Sequence, residues 1–427
     1  MEVGEKVKKR SSKCLLVFLV IMFIFFQLVS CQKPKKYPPL SEQEVVPKGI
    51  GVNIHGNLNE QEVKQMRDAG VKYVRVDLFW NSIEKEKGHY DFGQYDKLNQ
   101  ILKENNIRPY YILDYSNKLY EKNHSIVTEQ GRKAFGEYVK ATVKRYKGQN
   151  GVWEIWNEPN LEMFWNNQPS YKDYSLLVES VAPIIKKYDE SGIVVAPAIS
   201  GISDTSLEWL KQLFKNEKVT ADLDAISVHP YRNTKPETVL EDYGKLRRII
   251  DKYGKKGLPI ISGEWGYPVN TKTGNVTITE QKQAEFLIRM FLINASQHIP
   301  VSIWYDWRND GLDPNNNQHN FGLLTYEYKP KQSYFALVNF NRTLKGYHFD
   351  KKLEYGQPND YVLKFTNNKG KKVLVFWTTE SNHYMSINFP SGKGKLISMM
   401  GEKQSVKWNQ KQIVLKFSSA PSYLVID

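Results

Sequence analysis

The stretch "VWEIWNEPN" occupies residues 152–160. Val152, Trp153, Ile155 and Trp156 form an apolar run that reads as a buried strand, and Asn157, Glu158, Pro159 and Asn160 then break it. Proline has no N–H to give a strand ladder, so the chain is expected to leave the strand at Pro159. An acid at this point either opens a solvated turn or is a carboxylate delivered to a pocket. The runs on either side bear on which.

Seven further apolar runs recur at similar spacing: "GIGVNIHG" (49–56), "YVRVDLFW" (73–80), "RPYYILDY" (108–115), "GIVVAPAIS" (192–200), "LDAISVHPY" (223–231), "LPIISGEWGY" (258–267) and "VSIWYDW" (301–307). Helix-like stretches separate them, among them "LNEQEVKQMRDAG", "YDKLNQILKENN", "GRKAFGEYVKATVKRY" and "KQAEFLIRMFLINASQ". Eight strands alternating with helices fit an α/β fold of the (β/α)8 TIM-barrel type over residues 49–345. An open doubly wound sheet is the alternative, but no Gly-rich phosphate turn follows the first run.

From residue 346 the texture changes. "DYVLKFTNNKGKKVLVFWTT", "HYMSINFP" and "KQSVKWNQKQIVLKFSSAPSYLVID" show alternation and Asn/Gly turns without helical period. Residues 346–427 are expected to form a small antiparallel β-sandwich, either a structural appendage or a carbohydrate-binding module.

The N-terminus stands apart. Lys6, Lys8, Lys9, Arg10 and Lys13 precede the apolar run "CLLVFLVIMFIFFQLVSC". This is the layout of a secretory signal, short for a membrane span. Its ending, "LVSC" at residues 28–31, resembles the bacterial lipobox, which implies cleavage before Cys31 and attachment of lipid to it. Residues 1–31 are therefore expected to be a lipoprotein signal, with the body exported and anchored at a membrane of the cell envelope. Residues 32–48, with four prolines, read as a tether. Cys14 and Cys31 are the only cysteines, and a processed chain keeps only Cys31, which leaves no disulfide framework, cysteine-based zinc cluster or cysteine nucleophile. The net charge is +14, but Lys is spread along the body, so nucleic acid is not an expected partner. The eight histidines show no paired metal-ligand spacing, and neither metal nor cofactor is expected.

In a barrel of this kind function gathers at the C-terminal ends of the strands. Inspection of those ends gives Asn53 and His55 from the first run, Arg75 and Asp77 from the second, and Asn157 and Glu158 from the fourth. The sixth supplies His229 and Tyr231, the seventh Glu264, and the eighth Trp304, Asp306 and Trp307. Two glutamates thus reach one mouth from opposite sides. Glycosidic bond cleavage needs such a pair, one protonated and one ionised.

"WNEP" and "GEWG", with "SVHPY" between them, resemble the clan A retaining glycoside hydrolases of the 4/7 barrel superfamily. "WEIWNEPN", "WYDWRNDG" and "NFGLLTYEYKPKQSYFAL" look most like family 39, the β-xylosidase and exopolysaccharide-hydrolase group, with family 5 as the rival. The resemblance implies that Glu158 is the general acid/base and Glu264 the nucleophile, and that Asn157 binds the sugar 2-hydroxyl. It further implies that Tyr231 and Arg75 hold Glu264, that His229 sits beside the pair, and that Trp304 forms a stacking floor. Trp307, Trp80, Phe164, Trp165 and Trp265 are either outer sugar platforms or core, and His55 and Asn53 either touch substrate or bond within the barrel. The expected protein is a monomeric retaining hydrolase of an extracellular poly- or oligosaccharide, cutting internally. A catalytically silent carbohydrate-binding lipoprotein and an exo-acting β-xylosidase-type enzyme are the alternatives.

Overall fold

Val152–Ile155 takes its place as the fourth of eight parallel strands in the computed structural model, which describes Leu40–Asp427 apart from residues 166–167 and 274–275. The strands are β1 (Ile50–Asn53), β2 (Tyr73–Phe79), β3 (Arg108–Asp114), β4 (Val152–Ile155), β5 (Ile193–Ser200), β6 (Ala225–His229), β7 (Ile260–Trp265) and β8 (Ser302–Trp304). Each pairs with its neighbour in chain order and β8 pairs with β1, so the sheet closes into a barrel. Helices α1 (Glu60–Ala69), α2 (Gly93–Glu104), α3 (Glu129–Tyr146), α4 (Tyr171–Tyr188), α5 (Asp204–Phe214), α6 (Val239–Tyr253), α7 (Glu280–Ser296) and α8 (Gln332–Thr343) follow the strands in turn. The architecture is a TIM barrel, as the alternation of periods implies.

Side chains of alternate residues fill the inside of the barrel. Tyr73, Tyr110, Val152, Val195, Ala225, Ile261, Val301 and Ile303 form one apolar layer. Two residues further along several strands the chemistry changes, to Arg75 on β2, Glu154 on β4 and Ser227 on β6. A closed apolar plug therefore lies beneath a polar layer, and the polar layer lies beneath the mouth. Gly263 on β7 permits this stacking: a Cβ there would stand 2.0 Å from Ser227 Oγ.

Several strands end earlier than the apolar runs suggest. β4 stops at Ile155 because Trp156 and Glu158 take positive φ angles of 71° and 45°. Such angles are sparsely populated by non-glycine residues and turn the chain out of the sheet before Pro159 does so.

Residues 40–48 also differ from an extended tether. Leu40–Glu44 forms a turn of 3-10 helix, and Gln43 and Val46 are buried. Gln43 accepts a hydrogen bond from Arg108, and Val46 exchanges backbone bonds with Tyr347 and Gly346. The segment is polar apart from a few residues, but Val46 has an apolar site to fill. Cys31 and the apolar N-terminal run lie outside the described residues. Among the described residues, no helix is long and apolar enough to cross a membrane.

After α8 come eight antiparallel strands: β9 (Tyr347–Lys352), β10 (Asp360–Asn367), β11 (Lys372–Thr378), β12 (His383–Asn388), β13 (Gly392–Ile397), β14 (Lys403–Trp408), β15 (Gln412–Phe417) and β16 (Ser422–Ile426). Six form one sheet in the order β9-β10-β11-β16-β13-β14, and β12 pairs with β15 in a second. Leu374 and Phe376 of β11 join Ile387, Ile413, Leu415 and Phe417 in the layer between the two sheets. Val373, Val375 and Trp377, of opposite parity, belong to the core that also contains the barrel helices. The larger sheet is thus covered on both faces, which is why β11 reads as an unbroken apolar run. Trp377 Nε1 donates to Glu237 (2.8 Å), which also accepts two bonds from Arg289 of α7.

Candidate active site

Arg75 organises the polar layer. Its Nη1 donates to Glu264 Oε2 (2.5 Å) and Asn53 Oδ1 (3.1 Å), and its Nη2 to Asn157 Oδ1 (2.9 Å). Nε and Nη2 both donate to Glu154 Oε1, at 3.1 and 2.6 Å, while Tyr110 donates to the other oxygen of Glu154. Arg75 and Glu154 are both fully buried, and such a charge pair persists only when its hydrogen-bonding capacity is met. Here it is met, and the guanidinium is pinned from below by Glu154 and from beside by Asn53.

Glu264, at the end of β7, accepts from Arg75 on one oxygen and from the Tyr231 hydroxyl on the other (2.9 Å). Both oxygens are thereby oriented by donors, the arrangement that suits an ionised carboxylate presented to an electrophile.

Glu158 has a different environment. It is buried, and its Oε1 lies 2.7 Å from His229 Nδ1. Burial pushes its carboxyl up to about 7, against the smaller opposing effects of a hydrogen bond with Ser200 and the charge of Arg75. Burial likewise lowers His229 to about 4, so near neutrality its ring is uncharged; the anion of Glu264 opposes this shift. Arg75 Nη2 is a donor-only group whose hydrogens go to Glu154 and Asn157, and its 3.4 Å contact with His229 Nε2 favours the tautomer that carries no hydrogen on that nitrogen. The ring hydrogen then sits on Nδ1 and points at Glu158 Oε1. Any acid proton of Glu158 is therefore held on Oε2. His229 Nδ1 also lies 3.9 Å from Glu264 Oε2, so one imidazole nitrogen is flanked by both carboxyl groups. A protonated carboxyl beside an oriented carboxylate can deliver a proton and a nucleophile to the same bond.

The structure brings Asn53, Arg75, Asn157, Glu158, His229, Tyr231 and Glu264 together. His55 stands further out at the rim, half exposed, against Asp310 (2.8 Å) and Asp306 (3.8 Å). Burial tends to lower its ring, but the hydrogen bond and charge of Asp310 outweigh this and raise it to about 9.

Trp304 is a correction. It is 0% exposed, its Nε1 donates to Phe321 O (3.2 Å), and its ring packs edge-on to Trp265 at 4.9 Å. Strand parity explains the placement: Val301 and Ile303 point into the barrel, so Trp304 points out to the helices. Tyr305, next in line, takes the inner side, with ring contacts to His55 (5.4 Å), Tyr231 (6.2 Å) and Phe321 (5.1 Å). Tyr305, not Trp304, is the aromatic from the end of β8 that packs against Tyr231, the donor to Glu264. Trp307 is also buried, against Tyr334, so it offers no face to a sugar, and Trp80, Trp165 and Trp265 are core residues. Phe164 is partly exposed and lies parallel to Tyr115 at 6.2 Å.

Sequence reading missed Glu154 and Tyr305. An acid two residues past inward-facing Val152 was a usable signal, as was the parity of β8. The resemblance drew attention to Trp304 instead.

Residues 41–311 match the family model described as "Cellulase (glycosyl hydrolase family 5)". A curated β-xylosidase of Geobacillus stearothermophilus is 25% identical over 292 residues, which are 60% of this chain and 56% of that protein. The chain thus spans little more than half of that relative. A family 39 glycoside hydrolase from Bacteroides cellulosilyticus WH2 superposes with a TM-score of 0.77 at 26% identity, over 90% of this chain and 82% of that one. A monomeric β-xylosidase from Caulobacter crescentus CB15 shares the fold, with a TM-score of 0.64 at 15% identity over 90% of this chain and 97% of that one. Through the match that spans most of its barrel, the chain belongs to the cellulase family (glycosyl hydrolase family 5) of clan A.

Proposed function

We propose that this protein is a hydrolase that cleaves β-glycosidic bonds of an extracellular poly- or oligosaccharide with retention, by double displacement. Glu158 donates the Oε2 proton to the leaving oxygen while Glu264 attacks the anomeric carbon. The glycosyl-enzyme is then hydrolysed by a water that Glu158, now ionised, deprotonates. Asn157 is placed to meet the sugar 2-hydroxyl, since its carbonyl is occupied by Arg75 and only one of its two amide hydrogens is needed by Tyr115. The observation that carries this reading is the unlike setting of the two glutamates around His229.

The moderate length of the loops after β4 and β8 supports internal cleavage. The β-xylosidase among the relatives favours instead the release of single xylose units from a chain end, and product length on xylan and other β-glycans separates the two. The basic N-terminus, its apolar run and the lipobox-like ending support anchoring of a monomer through lipid on Cys31. Mass spectrometry of the mature N-terminus tests this.

The deciding experiment is Glu264→Gln. Turnover of the best substrate in a β-glycan panel falls by on the order of 10³-fold or more, and proton NMR of the wild-type reaction shows the β-anomer forming first. Unchanged hydrolysis in the variant, or first appearance of the α-anomer, refutes the assignment.

A further inference from the structure

A second set of donors stands at the rim of the mouth, made of residues that the reaction above leaves unused. His55 follows β1, while Asp306 and Asp310 follow β8. They bring one imidazole nitrogen and two carboxylate oxygens within 4.8 Å of one another. His55 Nδ1 is 2.8 Å from Asp310 Oδ1 and 3.8 Å from Asp306 Oδ2.

His55 Nδ1 is shared between Asp310 and, at longer range, Asp306 Oδ2, and neither contact reaches the second oxygen of Asp306. Asp306 is 1% exposed, and its Oδ1 has no hydrogen-bond partner among the described residues. Its other oxygen faces the imidazole. The nearby ammonium of Lys331 is directed to Asn309 Oδ1 (3.2 Å) and Asn320 O (3.3 Å) rather than to Asp306. A buried carboxyl left in this state is costly as an anion; burial raises it well above the usual carboxylate range, and a bound cation opposes that shift.

We propose that His55, Asp306 and Asp310 form a binding site for a divalent transition ion, manganese or zinc. His55 Nδ1, Asp306 Oδ2 and Asp310 Oδ1 are the three protein ligands. Donors held about 2.0–2.2 Å from one ion stand roughly 3.0–3.5 Å from each other, and the two observed separations bracket that spacing. An imidazole among carboxylates suits manganese or zinc better than calcium or magnesium, which take oxygen ligands. His55 and Asp310 are open to solvent, so coordination positions remain for water or a sugar hydroxyl. On its other side His55 walls a cavity of about 170 Å3 with Asn57, Asp77, Phe79 and Gln94. Tyr305 separates His55 from Tyr231, so the ion lies one aromatic ring from the tyrosine that holds Glu264. From there it anchors a sugar unit beside the one being cleaved.

Isothermal titration of the full chain, stripped with EDTA, tests the site with manganese, zinc and calcium chlorides in separate arms. One equivalent of manganese or zinc binds. The affinity falls on the order of tenfold or more in His55→Ala and in Asp310→Asn, whose partly exposed positions leave the circular dichroism spectrum unchanged. Binding of neither transition metal, binding of calcium alone, or binding unaltered in both variants overturns the proposal. The readout is metal binding, so its failure and that of the hydrolase mechanism are distinguishable.

Discussion

Replacing Arg75 by Met would leave Glu154 buried without a cation and Glu264 without one of its two donors. The first effect belongs to stability and the second to chemistry. Guanidinium denaturation of Arg75→Met is expected to show a loss of about 3–5 kcal/mol, and the folded fraction should have strongly reduced kcat. Glu158 yields a pH prediction at the same scale. Its acid form is present below its raised value of about 7 and is lost above it. Activity should therefore fall as pH rises through about 7, seen as a descending limb of kcat/KM; a flat profile from pH 6 to 9 would exclude Glu158 as the acid. The two aromatics of the eighth strand region should separate cleanly. Tyr305→Ala is expected to raise KM, whereas Trp304→Phe should leave kinetics near wild type and cost about 1 kcal/mol of stability for its bond to Phe321. Glu158 and Glu264 were legible in the sequence because each is an acid that ends an apolar run. Glu154 was missed, although its parity with inward-facing Val152 marks it as interior, because its partner Arg75 lies across the barrel, 79 residues away in sequence.

At the scale of elements, existence and order were readable from the alternation of periods, while strand ends were not. Two left-handed residues end β4, and tertiary packing rather than propensity holds them there. The same limit applies to residues 40–48, part of a stretch read as a tether but with Val46 packed against the body. Parity within a strand carried more information than hydrophobicity alone: it separates Trp304 from Tyr305, and it sorts Val373, Val375 and Trp377 from Leu374 and Phe376. The junction of α7 with the sandwich offers a test. Glu237 receives bonds from Arg289 and Trp377, all three buried. Glu237→Ala should cost about 3–5 kcal/mol in chemical denaturation with little change in kcat, because none of the three approaches Glu158 or Glu264.

For the whole molecule, the sandwich is bound to the barrel by apolar surface as well as by that polar junction. Its larger sheet gives one face to the helices and packs the other, around β11 and β16, against β12 and β15. Its edges, β9 and β14, carry Lys351, Lys352, Lys403 and Lys407, which discourage pairing with another sheet. A core continuous across two architectures has a thermodynamic consequence: neither part has a boundary at which it can melt alone. Scanning calorimetry should record one heat-absorption peak, with the calorimetric enthalpy equal to the van't Hoff value, where loosely joined modules would give two.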